Sequence, residues 1–403
     1  MIKKWFASNK IIFLGFLFLF MWYGFLTFSY ISNYKLLVGS DFRAFYAVGR
    51  ISNEHGGSSV YNISLEKEQQ ERLAGHPIQS GQVLTYNHPP FLLPVFYLIS
   101  KLNFQVAFGI YFIFLFLVAA LFGLLLIKIF PPDQLAGKFR SQLFLSILLF
   151  EPLFISILKG QDTVILLAGL TVFAYGLINQ NDRLSGLGLA LTLIRPQVSL
   201  FLALPLVFYN RKLLSWYIFG ACILALYSFF LVGTEGMLDF LNLMEISLRG
   251  QEFGLNPAMM FNLAGLVLRI FPAFNSSILS IIKIVGYVGC LLIFVITFRQ
   301  HKTVELRHFV PLIICSLFFS PHLHFHDLAI LLIPVIILFS YWLRQNRIGS
   351  ILPVNILFLL SILFLMSNII TPLYFIIPYL VMFIILLVYI KEEWFLPKRG
   401  QEF

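Results

Sequence analysis

Five short stretches, far apart in a 403-residue chain, carry side chains able to do chemistry: SDFR (40–43), NHPP (87–90), LKGQD (158–162), RPQ (195–197) and SPHLHFHD (320–327). Asp41 follows the first apolar block by about ten residues. It either caps a helix by accepting a backbone N–H or acts as a general base toward a hydroxyl within hydrogen-bond reach. Lys159 offers a point charge to phosphate, and Gln161 offers amide donors and acceptors to a headgroup or a sugar. The same residues also make an ordinary tight connection with Gly160 at the turn. Arg195 interrupts an apolar stretch, and its planar fork suits bidentate phosphate binding; the structural alternative is a buried pair with Glu151 or Asp162. His322, His324 and His326 recur at intervals of two, with Asp327 next. On an extended segment their rings share one face and, with Asp327, resemble a zinc set; on a helix they scatter. Binding of phosphate or sugar by one or two of them is the competing reading, with Pro321 as a helix break and Asp327 as a cap. Lys159, Arg195, His324 and His326 are thus candidates for holding a phosphate. Arg43, His88, Gln161, Gln197 and Asp327 are candidates for substrate contact.

Membrane-embedded helices must position these residues. The chain is 59% hydrophobic and 11% charged, against roughly 25% charged in a soluble domain. Its apolar blocks are about long enough to cross ~30 Å of hydrocarbon as helices, and the short alternating strands of a membrane barrel are missing. The pattern predicts an all-α polytopic membrane protein, one integral domain over residues 1–403. Spans are expected near 11–30, 104–127, 142–158, 163–179, 213–232, 276–298, 309–320, 328–343, 349–367 and 372–390. Lys3, Lys4 and Lys10 precede the first block, which has no short core or small-residue cleavage site; an uncleaved span with a cytoplasmic N-terminus is expected. Basic residues gather at 128–140, 211–212, 299–307, 344–347 and 391–399. Short basic segments mark the cytoplasmic face, so the net charge of +10 needs membrane lipids and no nucleic acid. Cys222, Cys290 and Cys315 lie in apolar runs, without the spacing of a disulfide framework or a thiolate metal site.

Two apolar stretches do not read as simple spans. Arg195-Pro196 cuts 186–210 near its middle, which predicts a re-entrant or broken helix pair, allowed only where irregular backbone is buried in protein or lines a wet cavity. Residues 258–271 read as a half-helix dipping in from outside. Residues 31–103 form the longest polar region and are expected to fold as short helices in a first extracytoplasmic loop. Within it, Glu68 and Arg72 should pair at i,i+4 and Pro89-Pro90 should open a short helix. Further outward segments are 158–163, 233–257 and 320–328. No internal repeat of the kind found in many transporters is present, and no Gly-rich phosphate loop, HExxH, GxSxG or Rossmann fingerprint occurs.

The ordered set SDFRAFYAVGR, YNHPP, LKGQDTVILLAGL, RPQ and SPHLHFHDLAILLIPV resembles glycosyltransferase family 87, membrane enzymes of the GT-C fold that include polyprenyl-phosphate-mannose-dependent mannosyltransferases. The resemblance covers roughly residues 11–345 and treats the last two spans as apolar filler. It implies that Asp41 is the catalytic base and that Gly160-Gln161, Arg195-Pro196-Gln197, Ser320-Pro321 and a histidine among His322, His324 and His326 match family motifs. Arg195 stands where Lys is common, and His88 where Tyr often precedes Pro-Pro.

Inverting transfer of a sugar, such as mannose, follows as the expected activity. A polyprenyl-phosphate donor gives up the sugar to a lipid or glycan acceptor at the periplasmic face of a bacterial inner membrane. No cofactor is expected, and a monomer suffices. Two other readings stand beside it: a lipid-linked sugar flippase, and a zinc-dependent membrane hydrolase.

Overall fold

The computed structural model describes residues 2–133, 135, 137–249, 257–298 and 305–392. The basic segments at 299–304 and 393–399, and the 250–256 part of the outward segment 233–257, lie outside the described residues. Among the described residues every regular element is helical. In chain order these are α1 (Ile2–Ser32), α2 (Tyr34–Val38), α3 (Phe42–His55), α4 (Ile63–Ala74), α5 (Leu93–Ile99), α6 (Phe104–Ile127), α7 (Gly137–Leu148), α8 (Glu151–Leu158), α9 (Thr163–Ile178), α10 (Asp182–Leu191), α11 (Pro196–Ala203), α12 (Leu206–Tyr209), α13 (Arg211–Arg249), α14 (Leu263–Ile270), α15 (Ser276–Phe298), α16 (Phe309–Phe318), α17 (Leu332–Arg344), α18 (Ile351–Ile369) and α19 (Thr371–Ile390).

Seven of the described helices are long and apolar enough to cross a membrane: α1, α6, α13, α15, the continuous element Phe325–Arg344 that ends in α17, α18 and α19. The protein is therefore a polytopic helical membrane protein. Three segments depart from the ten continuous spans that the apolar pattern predicts. The 142–158 segment is two helices, α7 and α8, bent by 50°; Pro152 stands in the first turn of α8, where its missing N–H costs no helical bond. Helix α9 has 16 residues and α16 has 10. At about 1.5 Å per residue both fall short of hydrocarbon thickness. Leu166, Leu167 and Leu170 of α9 and Leu312 and Ile313 of α16 are buried, so protein rather than lipid surrounds these short helices. The lipid-facing surface lies elsewhere, on helices such as α13 and α15, where Phe230, Ile284 and Val285 are exposed.

Helix α13 continues through the segment expected as an outward loop. It kinks at Gly233 (φ 66°) and stays helical to Arg249. The 182–209 stretch is a hairpin of broken pieces. Asn210 Nδ2 donates to Asp182 Oδ1 (2.9 Å), closing one end, while Arg195, between the 3₁₀ turn Thr192–Ile194 and α11, forms the apex. Basic residues meet at the end of the bundle opposite that apex. There Arg344 Nη2 donates to Ile129 O (3.0 Å), Arg307 Nη1 donates to Tyr341 OH (2.7 Å), and Lys212 Nζ lies 3.4 Å from Asp182 Oδ2. Helices α18 and α19 are more than filler. Asn368 Nδ2 donates to Glu151 Oε1 (2.9 Å), and Tyr379 OH accepts from Arg269 Nη2 (3.1 Å).

Between α1 and α6 the chain folds as four short helices. Asn33 and Asn62 cap α2 and α4 with their side-chain oxygens, satisfying otherwise orphaned N–H groups. Glu68 and Arg72 pair at 2.6 Å on the surface of α4. Phe45 stacks on Phe96 (4.8 Å) and meets Tyr86 edge-on (5.8 Å); Phe42 stacks on Tyr111 of α6 (5.4 Å). This aromatic core ties the loop to the bundle. Helix α4 then grips the segment before His88. Gln70 exchanges two bonds with the Leu84 backbone (2.7 and 3.0 Å), and Glu66 Oε2 accepts from Tyr86 N (3.1 Å). One turn apart on the helix, these side chains supply what a neighbouring strand would.

Glu66 is fully buried, and burial pushes its carboxyl up to about 8, the Tyr86 N–H offsetting only part of that. The folded protein therefore binds a proton here that the unfolded chain releases above its ordinary pKa of about 4.3. Stability from this group is present at low pH and is lost as pH rises from about 4.3 through 8. Thermal melts of purified protein between pH 5 and 9 should show a falling midpoint that flattens in Glu66→Gln; an unchanged slope in that variant contradicts the assignment.

Candidate active site

A cavity of about 640 Å³ opens where the first loop, the α8–α9 turn, the apex at Arg195 and the segment 320–327 meet. Asp41, His88, Lys159, Gln161, Arg195, Gln197, His324, His326 and Asp327 all line it, as does His322. Arg43 is not among the lining residues: its Nη2 donates to Gln82 O (3.0 Å), so it braces the first loop.

Asp41 precedes α3 in helical geometry (φ −67°, ψ −20°) and makes no side-chain capping bond. Its carboxylate is thus not consumed by the helix. The next residue fixes its place, since Phe42 N donates to Lys159 O (3.1 Å). Gly160 has φ 70°, and a Cβ there would lie 2.9 Å from Phe42 Cβ. Only glycine accepts both the left-handed backbone and that approach, and so Asp41 and Lys159 are held beside one another.

Behind the wall lies a buried charge cluster. Asp162 is fully buried at the start of α9, and its carboxylate makes no capping bond. Its Oδ1 is 3.3 Å from Arg195 Nη2, and its Oδ2 is 2.6 Å from His88 Nδ1. Arg195 Nη2 also lies 3.5 Å from Asp327 Oδ1. His88 Nδ1 is 3.0 Å from Arg195 Nη1 as well. A guanidinium only donates, and one ring nitrogen cannot both donate to Asp162 and accept from Arg195. The shorter contact, to a carboxylate, takes the N–H. Burial alone would raise the Asp162 pKa, but His88 and Arg195 outweigh it and hold the group below the usual carboxylate range. Burial likewise disfavours the Arg195 charge, yet Asp162 and Asp327 make the guanidinium hold its proton more tightly than usual. Of the two structural partners considered for Arg195, Asp162 is the one used; Glu151 faces Asn368 instead.

The histidine segment is irregular and tightly held. Asn262 Nδ2 donates to Ser320 O (2.7 Å), and Phe261 N donates to Leu323 O (2.8 Å). Asp327 Oδ2 accepts from His324 N (3.0 Å), and Asp327 Oδ1 accepts from Thr163 Oγ1 (2.7 Å). The rings of His324 and His326 stack at 5.6 Å. Among the described residues no three His, Cys, Asp or Glu side chains are grouped to hold a metal ion. Burial, reinforced by His324, Arg195 and Lys283, pushes His322 down to about 4, and burial lowers His324 as well. Both rings are neutral at pH 7 and offer single hydrogen-bond donors and acceptors rather than charge.

Several wall residues carried little sequence signal. Asn87 adjoins His88 in YNHPP. Tyr374 of α19 and Phe240, Leu241 and Met244 of α13 also line the cavity, but in a chain with 46 Phe and 17 Tyr their types do not stand out. Leu241 is 58% exposed as well as lining, so the cavity reaches the protein surface beside α13.

The fold and the site together define a helical membrane protein with a polar pocket. The model of glycosyltransferase family 87 matches residues 86–321, more than half of the chain, and the chain belongs to that family: it is a membrane glycosyltransferase. No curated protein and no solved structure matches it. His88, Lys159, Gln161, Arg195 and Gln197 fall inside the matched region; Asp41 and the segment from His322 to Asp327 fall outside it.

Removing one partner of a buried ion pair strands the other charge at a cost of about 3–5 kcal/mol. Asp162→Asn should therefore lower the melting midpoint and the yield of folded protein far more than Asp41→Asn. Gly160→Ala should leave the protein folded while cutting transferase turnover by at least about tenfold, through displacement of the Asp41–Lys159 pair; full activity in that variant contradicts the locking role of Gly160.

Proposed function

We propose that this chain is an inverting glycosyltransferase that moves a hexose, such as mannose, from a polyprenyl-phosphate donor to a lipid or glycan acceptor. One observation carries the reading: a carboxylate free of capping duty shares a single cavity with Lys159 and Arg195. Asp41 accepts the proton of the acceptor hydroxyl as that oxygen attacks the anomeric carbon. The bond between that carbon and the phosphate oxygen breaks, and its electron pair leaves with the polyprenyl phosphate. Lys159 and the Arg195 donors stabilise the charge growing on the leaving oxygen. His324 and His326 add neutral hydrogen bonds, and Gln161, Gln197 and His88 contact the sugar or headgroup. Attack from the face opposite the leaving group inverts the anomeric centre without a covalent sugar–enzyme intermediate, unlike retaining two-carboxylate hydrolases.

The basic segments at the far end of the bundle support a cytoplasmic position for that end. The cavity then faces the periplasmic side of a bacterial inner membrane, where a lipid-carried sugar is the available activated donor.

A second polar cavity, about 730 Å³, lies at the other end of α9 and α17, and access from both ends is what a flippase needs. Between the two cavities the packing is dense. Leu170, Phe173, Phe309, Leu312 and Ile336 are at most 1% exposed, and Phe173 meets Phe309 edge-on at 4.9 Å. That layer favours transfer at one face over passage.

Reconstituted in liposomes with labelled polyprenyl-phosphate hexose and membrane lipid extract, the wild type should release polyprenyl phosphate and form a labelled product of inverted configuration. Asp41→Asn should stay folded and lose about 10²–10⁴-fold in kcat, the range of general-base contributions. Near-normal turnover in Asp41→Asn would overturn the base assignment, and movement of intact donor between leaflets without transfer would favour the flippase.

A further inference from the structure

Helix α15 is the least buried of the seven spanning helices, and it carries one charged residue, Lys283. A charge at membrane depth is costly and faces a protein interior or a polar cavity. Lys283, Gly286, Tyr287 and Cys290 recur at helical spacing and form the inward stripe of α15. The Tyr287 hydroxyl donates to Gln197 O, and Gln197 lines the cavity. Gly286 meets the Phe319 ring so closely that a Cβ would overlap it. The thiols of Cys290 and Cys315 share a hydrogen bond.

These contacts fix a register. Helices α15 and α16 run antiparallel, with Cys290 opposite Cys315 and Gly286 opposite Phe319. Beyond the end of α16 the chain turns irregular and reaches His322, a wall residue of the cavity. Lys283 is near enough to His322 to be among the charges that hold that ring neutral. Lys283 is half-buried, and among the described residues no carboxylate compensates its charge.

The charge balance of the site calls for such a group. Arg195 and Lys159 face three carboxylates, Asp41, Asp162 and Asp327, while His322 and His324 are neutral at rest. An anionic headgroup entering this arrangement meets one cation too few, and Arg195 is already committed to Asp162 and Asp327.

We propose that Lys283 is a phosphate-binding residue, reaching from the lipid-facing helix α15 past His322 to the anionic headgroup of the polyprenyl-phosphate donor as it docks from the membrane. This rests on the donor class proposed above. The lysine is half-buried, and its flexible stem suits an ammonium that reaches from a lipid-facing helix toward a polar site.

The test compares wild type, Lys283→Met and Lys283→Arg in proteoliposomes, measuring the KM and kcat for polyprenyl-phosphate hexose and the Kd for sugar-free polyprenyl phosphate. Lys283→Met should raise donor KM and Kd by at least about tenfold, the loss of one charge-assisted hydrogen bond, with kcat within about twofold. Lys283→Arg should restore both constants. Unchanged KM and Kd in Lys283→Met overturn the role of Lys283 and leave the donor class standing. A matching loss of melting midpoint in both variants, with wild-type KM, assigns the residue to folding and also overturns it. If wild type neither binds polyprenyl phosphate nor transfers sugar from it, the donor class falls and the role of Lys283 falls with it.

Discussion

Arg195 is a permanent cation placed at the break of an apolar hairpin, and taking an ion of this kind out of water costs several kcal/mol unless it is paired. Its partners come from distant parts of the chain: Asp162 at the start of α9, Asp327 at the head of the element leading into α17, and His88 through Asp162. Each partner is itself fixed. Asp327 is bound by Thr163 and by the His324 backbone, and His88 follows a segment gripped by Glu66 and Gln70 of α4. One guanidinium thus determines where four stretches of backbone meet, and the cavity is the space left in front of them.

That arrangement shapes the chemistry. The guanidinium is flanked by two carboxylates, so it presents oriented donors more than net positive charge. The buried rings of His322 and His324 are neutral at pH 7. On the proposed function, a phosphate is received by positioned hydrogen bonds, which act strongly where water is excluded, and the attracting charge comes from lysines at the margin. Asp41 stands apart from the cluster. Its backbone is docked on the Lys159–Gly160 turn and its carboxylate makes no capping bond, so it is available to an incoming hydroxyl.

The membrane imposes the remaining constraints. Short helices such as α9 and α16 occur where protein covers them, and the irregular backbone at Arg195 and at 320–327 is tolerated because it lines a polar cavity. Leu241 brings the cavity to the protein surface beside α13. The densely packed layer around Phe173 and Phe309 separates this cavity from the polar one at the other end.

The sequence by itself determined the membrane class, the helical content, the break at Arg195-Pro196 and the identity of most polar wall residues. These depend on composition, on apolar run length and on the cost of a charge in an apolar stretch, all of which are local. It also supplied the ordered motifs of the family. Tertiary structure alone decided that Asp41 is not a helix cap, that Arg43 braces a loop rather than the site, and that Asp162 and not Glu151 neutralises Arg195. It brought Tyr374 and the second half of α13 into the wall. Those outcomes depend on which faces of distant helices pack together. No periodicity within a single segment records such a pairing, because its energy comes from partners in other segments of the chain.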